Sequence, residues 1–205
     1  MRAISSMRPV CASLLLVLAG CASTSLEATW TRPEFAGQHL EGPVMVVALA
    51  RDETVRRTYE DDMSQKLAAR GITALRSYEK VPGALQKDAN DRLLAAARDA
   101  KARYMLSTAL IGQDVEQVVT QEPMGYVSGG YGGWYGSAWG YAYTEVRTYK
   151  VYIAQTALTE VASDRVEWTA RTRTTEPSNI DRDTRAFVDV ILGALDAGKL
   201  IGSAK

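Results

Sequence analysis

Gly42-Pro43-Val44-Met45-Val46-Val47-Ala48-Leu49-Ala50-Arg51-Asp52-Glu53 is the stretch that decides the fold. Apolar residues run unbroken from Val44 to Leu49 behind a Gly-Pro breaker, the pattern of a short strand buried on both faces. Asp52 stands where an N-cap belongs, with Glu53 in the first turn, where the helix dipole favours an anion. Val55, Tyr59, Met63 and Leu67 then recur every four residues, which gives one helix face an apolar stripe. Arg70 and Gly71 close the helix with a cation and a residue that tolerates positive φ. Glu60, Asp61 and Asp62 form the densest acidic run, and their spacing predicts a solvated helix face away from that stripe.

Downstream, Ile72 to Leu75 reads as a second strand that stops at Val81-Pro82-Gly83. Asp88 is placed to cap a second helix whose buried side carries Leu93, Leu94, Ala97 and Ala100. Tyr104 to Ile111 is a third strand that continues, more polar, through Val115 and Val119. The order so far is β-α-β-α-β, and short connections of this kind favour right-handed parallel crossovers. A long strand from about Glu145 to Val161 follows, then a turn at Ala162-Ser163-Asp164. Val166, Trp168, Ala170, Thr172 and Thr174 alternate with Arg165, Glu167, Thr169, Arg171 and Arg173, as in a half-buried antiparallel strand. Asp181 opens a last helix with Phe187, Val188, Ile191, Ala194 and Leu195 as its core stripe. The expected fold class is α/β (α+β): β-α-β-α-β then β-β-α, a mixed sheet of about five strands with three helices mainly on one face. Residues 43–205 form a single domain on this reading.

Upstream, residues 22–42 are rich in Ala, Ser, Thr, Gly and Glu and show no sustained period, so 21–42 reads as a tether. Trp30, Pro33 and Phe35 are the residues in it able to lie against the domain. Before it, Arg2 and Arg8 precede an apolar run from Val10 to Ala19, and Leu18-Ala19-Gly20-Cys21 ends the segment. Cationic start, short apolar run and small residues are the order of a secretory signal, here residues 1–20. The run is too short for the roughly 20 residues that span a bilayer as a helix. The tetrapeptide resembles the lipobox of bacterial lipoproteins. That resemblance implies that Cys21 is diacylated and becomes the first mature residue, and that Ala22, where inner-membrane retention typically needs Asp, favours the outer membrane, domain facing the periplasm. Each buried acyl methylene contributes about 0.8 kcal/mol, so two or three chains hold a protein on a membrane almost permanently. Cys11 leaves with the signal, so no intramolecular disulfide is expected.

The 24 basic residues are balanced by 24 acidic ones, and two of the basic ones, Arg2 and Arg8, lie in the signal. That balance gives no electrostatic case for nucleic acid. No catalytic set, cofactor motif or metal-ligand spacing is evident either. His39 is the only histidine and falls in the tether; no Gly-x-Ser-x-Gly elbow or phosphate loop occurs. The expectation is a protein that is not an enzyme and takes no cofactor or metal. Arg165, Arg171, Arg173, Arg182 and Arg185 could gather into a basic patch, but Glu167 and Glu176 interrupt it and favour cross-strand pairing.

Gly125 to Tyr143 is the second distinctive feature. Seven glycines there interleave with Tyr126, Tyr131, Trp134, Tyr135, Trp139, Tyr141 and Tyr143, without a charge between Glu122 and Glu145. Dense glycine resists regular structure, whereas aromatic side chains are costly to leave in water. Three uses fit: a connection whose aromatics fold over the sheet, a protein-contact loop, or a membrane-interface or sugar-stacking loop.

Val44 to Ala50, Arg56 to Asp61, Leu67 to Gly71, Ala96-Ala97-Arg98 leading into Tyr104-Met105-Leu106, the Gly/Tyr insertion and Arg165 to Trp168 together resemble a family of small proteobacterial outer-membrane lipoproteins. In layout the chain is also distantly similar to the periplasmic domains of the LpoB, PelC and CsgG lipoproteins. Those act by protein contact, activating a cell-wall synthase or forming rings around an export path. The resemblance implies a lipid-anchored, non-enzymatic accessory factor that binds another envelope protein or itself, with the Gly/Tyr/Trp segment as contact. A ring-forming or export-associated lipoprotein and a peptidoglycan-binding module are the alternatives. The insertion shows no amphipathic strand period, which argues against a pore.

Overall fold

The computed structural model describes residues 23–83, 85, 89–121 and 144–202. Along the chain these form β1 (Ser23–Thr31), β2 (Val44–Leu49), α1 (Glu53–Ala68), β3 (Ala74–Arg76), α2 (Ala89–Asp99), β4 (Tyr104–Gln121), β5 (Thr144–Glu160), β6 (Arg165–Thr175) and α3 (Ile180–Ala197). The strands make one six-stranded mixed sheet in the order β1-β6-β5-β4-β2-β3. β2 runs parallel to β3 and β4, and the remaining pairs are antiparallel. The α/β class with three helices is therefore as the sequence indicates.

β2 explains why its sequence has no polar gap. Val44, Val46 and Ala48 face one core with α1 and α3, through Tyr59, Met63, Leu67, Val188, Ile191 and Leu195. Met45 and Val47 face a second, smaller core with Leu93 and Ala97 of α2. Two helices thus cover one face and α2 the other. Asp52 caps α1 as its position predicts, its Oδ1 accepting from Thr54 N at 2.7 Å and Val55 N at 3.1 Å. Gly71 takes φ +80° just past the end of α1, where a side chain would be strained. α3 starts at Ile180, one residue earlier than its pattern suggests, because Asn179 Oδ1 accepts from Arg182 N at 2.9 Å.

Two expectations are corrected. The sheet has six strands rather than about five, and the additional one, β1, lies inside the segment expected to be a tether. Among the described residues Ser23–Thr31 pairs only with β6, and its register shifts between Leu26 and Ala28, which breaks the alternation that would have marked it as a strand. Being an edge strand it needs little apolar content. Of the aromatics upstream of Val44, Phe35 packs edge to face on Tyr104 at 5.8 Å, whereas Trp30 is exposed.

The second correction concerns Glu60, which is fully buried rather than solvated. Its Oε1 accepts from Arg56 Nε at 3.1 Å, Ser77 Oγ at 2.7 Å and Ala48 N at 3.1 Å, and its Oε2 from Tyr78 N at 2.9 Å. Arg56, equally buried, donates to the carbonyls of Val81 at 2.9 Å and Gly83 at 2.8 Å and to Ser77 Oγ at 2.8 Å. β3 reaches β2 only through the Val46–Arg76 pair, so beyond it Glu60 takes the place of a neighbouring strand for Ala48. Arg56, Glu60 and Ser64 form a buried row beside Tyr59 and Met63, so α1 is enclosed over a wider arc than its apolar stripe shows. Asp61 pairs with Arg76 at 2.7 Å and Asp62 with Lys66 at 3.0 Å.

Candidate functional site

An open crevice of about 850 Å³ lies between the N-terminal ends of α1 and α3, above the middle of β4 and β5. The topology puts it there. The chain leaves β2 toward β3 on one side, β4 pairs on the other, and α1 and α2 lie on opposite faces, so the connections part at the carboxyl end of β2. Crevices outside the carboxyl ends of parallel strands, where the strand order reverses, are the usual ligand sites of α/β sheets. The walls are largely apolar: Leu49, Val55, Leu110, Ile180 and Phe187 line it. Leu110 is 57 % exposed, Ile180 48 % and Leu49 38 %, an unusual concentration of wet aliphatic side chains.

Polar groups enter at the floor and at the helix ends. Thr108 Oγ1 lies 2.8 Å from the Tyr59 hydroxyl and 2.8 Å from Thr156 Oγ1, a chain of three hydroxyls. Burial pushes the Tyr59 phenol above its ordinary range, and the hydrogen bond with Thr108 offsets part of that rise. Both helix N-termini carry their own acceptors: Asp52 on α1, and on α3 Asn179 with Asp183, which accepts from Asn179 N at 2.8 Å and from Ser178 N. Burial works to raise the Asp183 carboxyl, but the N–H groups of Asn179 and Ser178 and the Arg182 guanidinium outweigh it and hold it below the usual carboxylate range. A carboxylate at each helix end disfavours an anionic ligand in the crevice.

The second element of the site is an arm. β6 accompanies β5 only as far as the Val151–Thr175 pair. Beyond it, β4 and β5 continue as a two-stranded ribbon through seven further pairs, from Val115–Lys150 to Gln121–Thr144. β2 leaves β4 at Ala109, so among the described residues the outer edge of β4 carries no strand partner from Leu110 onward. Val115 is 61 % exposed.

The three arginines of β6 find carboxylates on neighbouring strands, whereas Arg182 and Arg185 bond at the start of α3. Arg171 Nε contacts Glu27 at 2.9 Å, Arg165 contacts Glu167 at 3.1 Å and Glu160 at 3.2 Å, and Arg173 pairs with Glu116 and Glu27. Glu167 is itself buried and also holds Arg32 Nε at 3.0 Å. His39 is exposed. Among the described residues no group of three or more His, Cys, Asp or Glu side chains could hold a metal ion, and no helix is long and apolar enough to cross a membrane.

Cys21 and the seven aromatics Tyr126, Tyr131, Trp134, Tyr135, Trp139, Tyr141 and Tyr143 lie outside the described residues. Their points of attachment do not. Cys21 precedes Ser23, which pairs with Thr175, and the aromatic segment joins Gln121 to Thr144 at the end of the arm. Both leave the sheet at the end that holds the crevice. Sequence reasoning missed the crevice itself, because its lining is gathered from β2, α1, β4, β5, β6 and α3, most of them distant in the chain. The one signal available was Pro177 with Asn179 ahead of α3, a capped helix start close behind a strand end.

The fold class is thus a half-parallel α/β sandwich with an antiparallel extension. No protein-family model matches the chain, and no curated protein matches it. Among solved structures it is similar to the PelC dodecamer from Paraburkholderia phytofirmans, at 19 % identity over 87 % of this chain and 99 % of that one, with a TM-score of 0.43. It is also similar to lipoprotein GNA1162 from Neisseria meningitidis, at 9 % identity over 77 % and 96 % of the two chains, with a TM-score of 0.40. A neuraminyllactose-binding hemagglutinin homolog from Helicobacter pylori aligns at 11 % identity over 80 % and 91 %, TM-score 0.38. Likenesses at this level fix neither a family nor a function.

Proposed function

We propose that the chain is a lipid-anchored accessory protein of the bacterial outer membrane, facing the periplasm, that acts by binding another protein and not by catalysis. Cys21 carries the anchor, and the sheet and helices are the scaffold. The observation that carries the reading is the arm. A two-stranded ribbon is marginal in water on its own, and unpaired strand edges are templates for another chain. Here the ribbon runs seven pairs past the sheet, and among the described residues neither edge carries a strand partner, Glu176 alone bonding the β5 edge at Lys150. A partner that adds a strand to the outer edge of β4 gains backbone hydrogen bonds, and the Gly/Tyr/Trp segment at the tip supplies the aromatic contacts that dominate interface energies.

A second copy of the chain is the alternative partner. The outer edge of β1 and the outer edge of β4 beyond Ala109 lie on opposite sides of the sheet. Pairing one with the other is head-to-tail, which closes into a ring or extends as a filament. Crosslinking in cells, followed by mass measurement of the detergent-solubilised protein, tests both. Deleting residues 122–143 is expected to remove the crosslinked partner or to change the oligomeric mass. Unchanged partners and unchanged mass would end the contact assignment.

A further inference from the structure

The exposed apolar side chains are not scattered. Seven large hydrophobic residues are exposed among the described residues: Leu26, Trp30, Leu49, Leu110, Ile111, Val115 and Ile180. All but Trp30 sit at one end of the sheet. Leu26 lies opposite Thr172, whose other neighbour Ala154 lies opposite Leu110, and Leu49 pairs with Ala109. Ile111 and Val115 continue up the arm, and Ile180 starts α3 five residues after Thr175. Trp30 faces Thr169, further down the ladder.

The anchor leaves from that same end. Ser23 pairs with Thr175 at the tip of β6, and Cys21 is two residues earlier. Two residues of extended chain reach at most about 7 Å. The acylated sulfur therefore cannot stand far from Thr175, and the bilayer surface cannot either. The arm, by contrast, extends seven pairs beyond the Val151–Thr175 level, about 24 Å at strand rise. An arm three times longer than the leash reaches the lipid in every orientation that points the strand ends of the anchor side at the bilayer.

We infer that the anchor end of the sheet is a membrane-docking face, in which Leu110, Val115, Ile180 and Leu49 rest in the lipid interface. This rests on the anchor reading above and adds to it an orientation: the crevice opens toward the bilayer, and the partner is met at the membrane surface. Apolar burial rather than charge drives the contact. Arg51, Lys150, Arg173 and Arg182 at this end are outnumbered by Asp52, Asp114, Glu116, Glu176, Asp181 and Asp183, so charge supplies no attraction to an anionic lipid surface.

The test uses the full lipidated chain in phosphatidylethanolamine–phosphatidylglycerol vesicles that contain bromine-labelled lipid. Cys21 is consumed as a thioether and Cys11 is removed with the signal, so Leu110→Cys, Val115→Cys, Ile180→Cys and the control Ser163→Cys each provide one thiol for a fluorophore. Ser163 lies in the turn between β5 and β6, at the opposite end. Quenching of about twofold or more at 110, 115 and 180, with none at 163, is the expected result. No quenching at the three positions in a protein whose N-terminal peptide carries its acyl chains would overturn the docking face while leaving the anchor intact. An N-terminal peptide without acyl chains would overturn both.

Discussion

Replacing Glu60 by Gln tests the central structural claim, that one buried carboxylate sets the end of β2 and thereby one wall of the crevice. Glu60 and Arg56 are both fully buried, and the carboxylate accepts four hydrogen bonds, two of them from backbone N–H groups. The amide keeps one acceptor oxygen. Its NH2 must then face a donor, either Tyr78 N or the Arg56–Ser77–Ala48 cluster, and the guanidinium is left without a counter-charge. Breaking a buried ion pair from one side costs about 3 to 5 kcal/mol. A domain of this size has roughly 5 to 15 kcal/mol to lose. At a urea slope near 2 kcal/mol/M, the unfolding midpoint followed by circular dichroism should fall by about 1.5 to 2.5 M. Arg56→Met should cost a similar amount, and the double variant should cost less than the two together by about 1.5 kcal/mol or more, because no unpaired charge remains in it. A Glu60→Gln midpoint within 0.3 M of the parent, taken as about 0.5 kcal/mol, or additivity of the pair, would refute the reasoning.

Three further outcomes follow from the same geometry. Asp183→Ala removes the acceptor for two N–H groups at the start of α3 and should cost about 1 to 2 kcal/mol at pH 7. Because the Asp183 carboxyl is held below its ordinary range, its contribution is full at neutral pH and is lost as pH falls through the folded-state value, so the gap in Tm between parent and variant should hold near neutral pH and narrow only once pH drops below the ordinary carboxylate value of about 4. Tyr59→Phe leaves Thr108 bonded to Thr156 and should cost about 1 kcal/mol by urea titration. Trp168→Ala, in the centre of the larger core, should cost about 3 to 5 kcal/mol, whereas Trp30→Ala should cost less than about 1, which thermal melts of the two variants would compare directly.

How much of this was legible depended on whether a residue's role follows from its own neighbours in sequence. Val44 to Leu67 announced itself, because a two-faced strand and a capped amphipathic helix leave periodic signatures. The same holds for Trp168, Ala170 and Thr172 of β6, whereas Glu167, which the alternation puts on the wet face, is buried in its ion pairs with Arg32 and Arg165. β1 did not, since an edge strand paired on one side needs no apolar alternation and its bulge at Leu26–Ala28 disrupts what there is. Glu60 was misplaced for a different reason. Carboxylates adjacent in sequence look like a solvated face, and only the Ser77–Gly83 segment, folded back from outside the helix, makes burial of Arg56 and Glu60 affordable. Apart from the capped start of α3, the crevice left no mark in the sequence, because Leu49, Leu110 and Ile180 come from three elements that the topology alone brings together.

The pairing of β1 has a mechanical consequence on the anchor reading. With β1 as a tether, the domain would hang on some twenty flexible residues and sample every orientation. With β1 in the sheet, only residues 21 and 22 separate lipid from fold, and any pull from the membrane enters at Ser23 along the strand axis. β1 and β6 are antiparallel and Ser23 lies against the far end of β6, so the load is carried in shear by the whole ladder rather than by one terminal bond at a time. Thr24 and Thr174, hydrogen-bonded side chain to side chain at 3.0 Å, stand at the first rungs of that ladder. Arg32 locks the other end of it, donating to the Val166 carbonyl at 2.9 Å and pairing with the buried Glu167. If Cys21 carries the anchor as proposed, an edge strand clamped at both ends sets where the anchor leaves the domain and which end of the domain faces the membrane.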